Sequence, residues 1–128
     1  MMTDQQPRLS PSLMDIAREV TEINVANGWH EDKRTFGEGI ALIHSEVSEA
    51  LEAYRQWGTA DSTGLDTFVP HLGLYVAAKP EGVGSEFADI LIRLLDECDR
   101  QGIDIDYELE RKLAHNRTRG YRHGGKRL

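Results

Sequence analysis

Apolar residues at helical spacing constrain the fold more than any other feature of the sequence. The clearest segment begins near Phe36 and ends before Gly58. Its apolar residues form a stripe over about four turns: Ile40, Ile43, Val47, Ala50, Leu51 and Tyr54. Because a period of 3.6 residues puts such a stripe on one face of an α-helix, that face has to be covered by other apolar groups. The sequence therefore predicts packed helices.

Three further segments follow the same pattern and carry signals for helix ends. The first covers residues 13–26 and is preceded by Ser12, a favourable N-cap residue. Another starts after GVGS, where Ser85 is a candidate cap, and ends at Gly102. The last opens near Asp104, with acids in its first turn and bases in its last, as the helix dipole favours. The four segments predict an all-α four-helix bundle.

The connection between the second and third helices is long. Residues 58–84 carry Gly, Pro, Thr and Asp around one apolar patch, FVPHLGLYVAA. The patch is compatible with a short helix or with a lid, and both interpretations stay open. Loops of this length inside a compact domain are more often functional than not.

Length and composition favour one globular domain. The 128 residues are 39% hydrophobic and 29% charged, which are ordinary values for a folded protein. We expect a single domain over 1–128, with flexible ends at 1–11 and 120–128. No stretch approaches the roughly 20 apolar residues of a membrane span, and the N-terminus lacks the features of a secretory signal. We therefore expect no membrane partner. Since Cys98 is the only cysteine, we expect no internal disulfide and a cytoplasmic location.

Charge is divided unequally along the chain. Residues 111–128 hold seven of the 15 basic residues and none of the 22 acidic ones. This leaves eight basic against 22 acidic side chains, a net charge of −14, in the rest of the chain, against +7 in this basic C-terminal tail. Such segregation is typical either of a nucleic-acid-binding arm or of a site that handles an anion through a metal ion.

Two helices carry paired carboxylates. Glu46 and Glu49 lie three residues apart in HSEVSEALE, and Glu86 and Asp89 repeat the spacing in SEFADILIRLLD. Each pair adjoins apolar residues, where an unpaired carboxylate is costly to bury. If the helices pack antiparallel, the pairs can converge into an all-oxygen site of the kind that Mg²⁺ or Mn²⁺ selects over Zn²⁺. A solvated acidic face, or an ion pair between Asp89 and Arg93, is the structural alternative.

The C-terminal segment, KLAHNRTRGYRHGGKRL, has residue types that bind phosphate. Lys112, Asn116 and Arg119 are spaced i, i+4, i+7, and His123 to Lys126 follow with two glycines between them. Lys and Arg donate to phosphate oxygens, and glycines let backbone amides approach an oxyanion closely. A basic tail without structure is the alternative.

The three motifs in this order, with KPEG ahead of the second, resemble the MazG-like branch of the all-α nucleoside triphosphate pyrophosphatase superfamily. The resemblance covers residues 12–128, nearly the whole chain. It implies four Mg²⁺ ligands: Glu46, Glu49, Glu86 and Asp89. It also implies that five residues bind the substrate: Lys112, Asn116, Arg119, His123 and Lys126.

The activity implied by the resemblance is hydrolysis of a nucleoside triphosphate between its α and β phosphates, with Mg²⁺ or Mn²⁺ as cofactor. The implied cellular role is house-cleaning of the nucleotide pool. The implied assembly is a homodimer or a homotetramer. In such chemistry one of the carboxylates can also accept the proton of the attacking water, and Glu49 is our candidate for this general base. Trp29 and Trp57 are candidates for stacking on a nucleobase, although tryptophan at such positions more often belongs to the core.

Two other function classes remain as alternatives. Many relatives in the family carry two adjacent acids at the start of the first motif, whereas Ser45 precedes Glu46 here. This departure favours a catalytically degenerate helical dimer that binds a nucleotide or a protein partner. A nucleic-acid binder that uses the basic tail is the less favoured alternative. The acidic body of the chain, residues 1–110, would repel the phosphate backbone of a nucleic acid.

Overall fold

The structure is a computed structural model that describes residues 11–31, 33–59, 67–71, 73–76 and 81–121. The chain divides into two units, one formed by residues 1–33 with 95–128 and the other by residues 34–94. The ends predicted to be flexible lie outside the described residues, apart from residues 11, 120 and 121. None of the helices in the described ranges has the length and apolarity needed to cross a bilayer.

Four α-helices make up most of the described residues, and the predicted all-α fold class is confirmed. In chain order the elements are α1 (Leu13–Ala26), α2 (Phe36–Trp57), β1 (Thr67–Val69), β2 (Leu74–Val76), α3 (Val83–Gln101) and α4 (Ile105–Thr118). The predicted cap Ser12 accepts a hydrogen bond from a first-turn amide, and Asp104, near which the last helix was predicted to open, does the same for α4.

The predicted start of α3 is wrong by three residues. The helix begins at Val83, so Ser85 lies inside its first turn and does not cap it. The amide of Glu86 donates to the carbonyl oxygen of Gly82 at 3.0 Å, which places the first helical hydrogen bond one turn earlier than predicted. Gly82 has a φ of 118°, a conformation that favours glycine over any residue with a Cβ, and it turns the chain into the helix.

A short antiparallel pair of strands lies in the long connection between α2 and α3. Strand β1 pairs with β2 in the register Thr67 to Val76 and Val69 to Leu74. The turn between them is closed by the amide of Gly73, which donates to the carbonyl oxygen of Pro70 at 3.1 Å. A short helix over these strand residues, one of the two interpretations left open by the sequence, is therefore wrong.

In the first unit, the exposed end of α1 is satisfied by a residue distant in sequence. Asp106, in the first turn of α4, accepts hydrogen bonds from the amides of Leu13 and Met14, both at 3.0 Å. Ser12 and Asp15 complete a capping box at the same end. Because the first four amides of a helix have no partner within it, these contacts stabilise α1 and fasten it to α4.

In the second unit, the covered face of α2 differs from the predicted stripe. Its buried residues are small or charged: Gly39, Glu46, Ala50 and Ala53. Val47, Leu51 and Tyr54, which belong to the predicted stripe, are between 50% and 56% exposed. The helix therefore has one buried face, which contains Glu46, and one apolar stripe that is exposed to solvent.

Asp96 is the centre of a buried polar network in the first unit. It is 3% exposed, and its two carboxylate oxygens lie 2.9 Å from His30 Nε2 and 2.9 Å from Arg100 Nε. Burial by itself raises the pKa of Asp96, but the hydrogen bonds from Arg100 and His30 and the charge of Arg100 outweigh it and lower that pKa to about 2. The network joins α3 to the segment after α1, which accounts for His30 as a structural histidine.

We expect this network to make stability depend on pH below about 4. Since the pKa of Asp96 is about 2 in the folded protein, against an ordinary value of 3.8, its contribution is present above pH 4 and is lost as pH falls from about 4 to 2. The loss is on the order of 2 kcal/mol. Urea unfolding of the wild type and of Asp96→Asn at a series of pH values measures it. Two parallel pH profiles would contradict the assignment.

Candidate metal centre

Glu46 is a carboxylate on the covered face of a helix. It is 6% exposed, and the buried residues that follow it on α2, Ala50 and Ala53, offer no hydrogen-bonding side chain. An ionised carboxylate in such a place is unfavourable unless a cation or hydrogen bonds compensate it. The position of Glu46 in the apolar pattern therefore requires a positive partner.

Two carboxylates from α3 converge on Glu46. One oxygen atom from each of Glu46, Glu86 and Asp89 can be chosen so that all three lie within 4.8 Å of one another. Glu86 and Asp89 are half-buried and lie one turn apart near the start of α3. The convergence predicted for the two helices is thus present for three of the four carboxylates. These three residues are called the carboxylate cluster below.

Glu49, the fourth predicted ligand, is not one of the three residues whose oxygens converge. It is exposed, unlike Glu46, and it lines the same cavity. Its position follows from the helix, because a step of three residues from Glu46 moves Glu49 about 60° around the axis and away from the covered face. Glu49 therefore faces the opening of the site.

Glu86 is affected both by burial and by the negative charges around it. Burial raises the pKa of Glu86, and the charges of Glu49, Asp89 and Glu46 raise it further. One of its carboxylate oxygens, Oε1, is buried and has no hydrogen-bond partner among the described residues. A raised pKa together with a buried acceptor lacking a donor indicates negative charge in excess of the positive charge around it.

Arg93 supplies part of the missing positive charge. Its Nε donates to Oε1 of Glu46 at 2.6 Å, joining α3 to α2. The sequence suggested an ion pair of Arg93 with Asp89, whereas the ion pair that the structure records for it is with Glu46. Because Glu86, Asp89 and Arg93 are spaced i, i+3, i+7 on one face of α3, the spacing was the signal that Arg93 reaches the same site.

The cluster opens into a cavity of about 520 Å³, a size typical of small-molecule sites. The described residues that line it include six acids and one base: Glu46, Glu49, Glu52, Glu81, Glu86, Asp89 and Arg93. Trp57 lines the same cavity and is 51% exposed, so its interpretation as a core residue is wrong. A strongly acidic cavity of this kind favours a cation, or an anion that arrives with one.

The predicted phosphate-binding residues lie on another part of the chain. Lys112 and Asn116 are exposed on α4, and Arg119 is the C-cap residue of that helix. These residues belong to the unit of α1 and α4, so the structure describes them separately from the carboxylate cluster. His123 and Lys126 lie outside the described residues.

Ser45, the departure from the family pattern, is engaged within its own helix. Its hydroxyl donates to the carbonyl oxygen of Leu42 at 2.8 Å. This is a common bond for serine inside a helix. Ser45 therefore adds neither a charge nor a recorded bond to the carboxylate cluster.

Comparison of this chain with protein-family models, with curated proteins and with solved structures gives no match. The chemistry of the cluster is therefore argued from its own donors. Three carboxylates, with a fourth at the opening and no sulfur or imidazole among the cavity-lining residues described, form an all-oxygen set. Such sets fit Mg²⁺ or Mn²⁺, and the buried oxygen of Glu86 offers an acceptor that a metal ion would use.

We expect Glu86→Gln to stabilise the protein when no metal is present. The substitution removes one charge from a repelling group and keeps the shape of the side chain, so the melting temperature in chelator should rise by about 2–4 °C. Glu52→Gln is the matched control, because Glu52 lines the cavity but is exposed and lies outside the cluster. A melting temperature of Glu86→Gln at or below the wild-type value would show that the carboxylates do not repel one another.

Proposed function

We propose that this protein is a Mg²⁺-dependent nucleoside triphosphate pyrophosphatase, in which Mn²⁺ can replace Mg²⁺. It hydrolyses a nucleoside triphosphate between the α and β phosphates to the monophosphate and pyrophosphate. The observation that carries the proposal is the convergence of Glu46, Glu86 and Asp89 in an acidic cavity with a buried acceptor on Glu86. The order of the three sequence motifs supports the same activity.

We assign two different roles to the carboxylates according to their burial. Glu46, Glu86 and Asp89, which are buried or half-buried, would hold the metal ion. A divalent ion in such a site neutralises phosphate charge and lowers the pKa of bound water. Glu49, which is exposed and lines the cavity, would accept the proton of the attacking water. The oxygen of that water then bonds to the α phosphorus, and the bond from this phosphorus to the bridging oxygen breaks.

The basic C-terminal tail would bind the departing pyrophosphate. Lys112 and Asn116 have exposed side chains on α4, and Arg119 follows one turn later. Arg119 offers a planar fork of donors that matches a phosphate group, and Lys112 offers a point charge. Lys126 and His123 are proposed to act with them on the basis of the sequence resemblance. This assignment gives the acidic body and the basic tail one common substrate in the cytoplasm.

The activity is tested with a panel of nucleoside and deoxynucleoside triphosphates and Mg²⁺, with pyrophosphate release as the measurement. We expect at least one triphosphate to be hydrolysed, and we expect Glu49→Gln to lower kcat by about 10²- to 10⁴-fold because the general base is lost. Glu52→Gln should retain most of the activity. Failure of the wild type to release pyrophosphate from every triphosphate would reject the enzymatic function.

A second measurement distinguishes the enzyme from the alternative of a degenerate binding protein, which Ser45 favours. Calorimetric titration of a triphosphate with Mg²⁺ would then show binding without turnover. A degenerate binding protein would keep the same carboxylate ligands. We would therefore still expect Glu86→Gln to lose metal binding in that case. Absence of both binding and turnover would reject both functions.

We propose further that the protein is a homodimer or homotetramer. Large apolar residues of residues 34–94 stay between 37% and 58% exposed on both helices: Val47, Leu51 and Tyr54 on α2, and Phe87, Leu91 and Leu94 on α3. Each set is spaced i, i+4, i+7 and forms a stripe. Apolar stripes of this kind on a small chain are typical of surfaces covered in an assembly.

The assembly is tested by light scattering after size-exclusion chromatography. We expect a mass of two or four times the 14.4 kDa chain. Leu91→Glu places a charge in the α3 stripe and should shift the mass toward the single chain, since an unpaired charge is not tolerated in an apolar interface. Ser48→Glu, at an exposed polar position of α2, is the control. A wild-type mass of one chain would reject the assembly.

A further inference from the structure

Arg93 occupies a position that the proposed metal ion would also need. Its Nε lies 2.6 Å from Oε1 of Glu46, and this contact is a direct ion pair on the carboxylate that the cluster buries most deeply. Arginine keeps its charge at every accessible pH, so the guanidinium cannot leave the site by losing a proton. Arg93 therefore acts as a permanent positive charge inside the candidate metal site.

Two cations compete for one carboxylate here. The oxygens of Glu46, Glu86 and Asp89 are close enough to surround one ion, and the contact of Arg93 with Glu46 brings its positive charge to the edge of that group. A divalent ion close to a guanidinium is repelled strongly in surroundings of reduced dielectric constant. The Arg93 side chain is 37% exposed and borders the cavity, so it has solvent-filled space into which it can withdraw.

We propose that Arg93 is a built-in counter-ion that competes with the divalent metal for Glu46, and that it lowers the metal affinity of the site while stabilising the metal-free protein. The inference rests on the metal site of the proposed function. In the metal-free state the guanidinium compensates the buried charge of Glu46. In the metal-bound state the guanidinium withdraws from Glu46 toward the cavity. Arg93 is thus a positioning residue of the site and acts through Glu46.

The competition makes two predictions with opposite signs for Arg93→Gln. The melting temperature in chelator should fall, because removing one partner of a buried ion pair leaves the other uncompensated. The affinity for Mn²⁺, measured by isothermal titration calorimetry with the metal alone, should rise by about tenfold or more. Saturating Mn²⁺ should restore most of the lost melting temperature. A residue with a merely structural role would lower both quantities together.

Two further variants make the comparison specific. Arg93→Lys keeps the positive charge without the guanidinium fork, so its Mn²⁺ affinity should lie between those of the wild type and Arg93→Gln. It also keeps the proposal testable if Arg93→Gln does not fold. Arg18→Gln removes one charge from an exposed ion pair with Asp15 on α1, and it should leave the Mn²⁺ affinity unchanged.

The outcomes separate this inference from the proposed function. If the wild type binds Mn²⁺ and Arg93→Gln binds it equally or more weakly, the competition is overturned while the metal site stands. In the case where Arg93→Gln does not fold, an affinity of Arg93→Lys at or below the wild-type value overturns it. If no variant binds Mn²⁺, the metal site and the competition fail together. Tighter binding by Arg93→Gln, without a change in Arg18→Gln, supports the competition.

Discussion

The burial of one carboxylate, that of Glu46, sets the requirements that the rest of the candidate site meets. Removing an ionised carboxylate from water costs several kcal/mol even after the protein relaxes. The ion pair with Arg93 recovers part of this energy at 2.6 Å. The nearby carboxylates work in the opposite direction, because burial and the charges of Glu49, Asp89 and Glu46 raise the pKa of Glu86. A cation bound among these carboxylates would offset their repulsion.

Two acids on α3 illustrate the difference between a compensated and an uncompensated site. Asp96 is buried, but two cationic or polar partners hold its pKa at about 2. Burial and three neighbouring carboxylates instead raise the pKa of Glu86, and one of its oxygens has no recorded partner. The first arrangement is complete within the chain and serves the fold. The second is incomplete, as expected of a site that awaits a ligand.

The helices could be predicted closely because their signals are local. Ser12 caps α1 as predicted, α4 opens next to Asp104 as predicted, and Gly102 ends α3 with a φ of 68°. The pairing of β1 with β2 was missed because the long connection shows no clean alternation of apolar and polar residues. Gly82 shifted the start of α3 because its backbone conformation, and not a side-chain cap, starts the helix.

The site was harder to predict than the helices, because it depends on which faces meet. Periodicity placed Glu46 at the edge of an apolar stripe, but it could not show that small residues such as Ala50 would be covered while Leu51 stayed exposed. The ion pair of Arg93 with Glu46 joins residues 47 positions apart in sequence, whereas local spacing reveals only neighbours on the same helix, such as Asp89. Spacing was nevertheless sufficient to separate the environments of Glu46 and Glu49. A step of three residues turns Glu49 out of the covered face and toward the cavity. A carboxylate that accepts a proton from water has to be reached by water, whereas one that holds a metal ion benefits from being fixed. The i, i+3 spacing on a partly covered helix supplies both environments from two residues of one type.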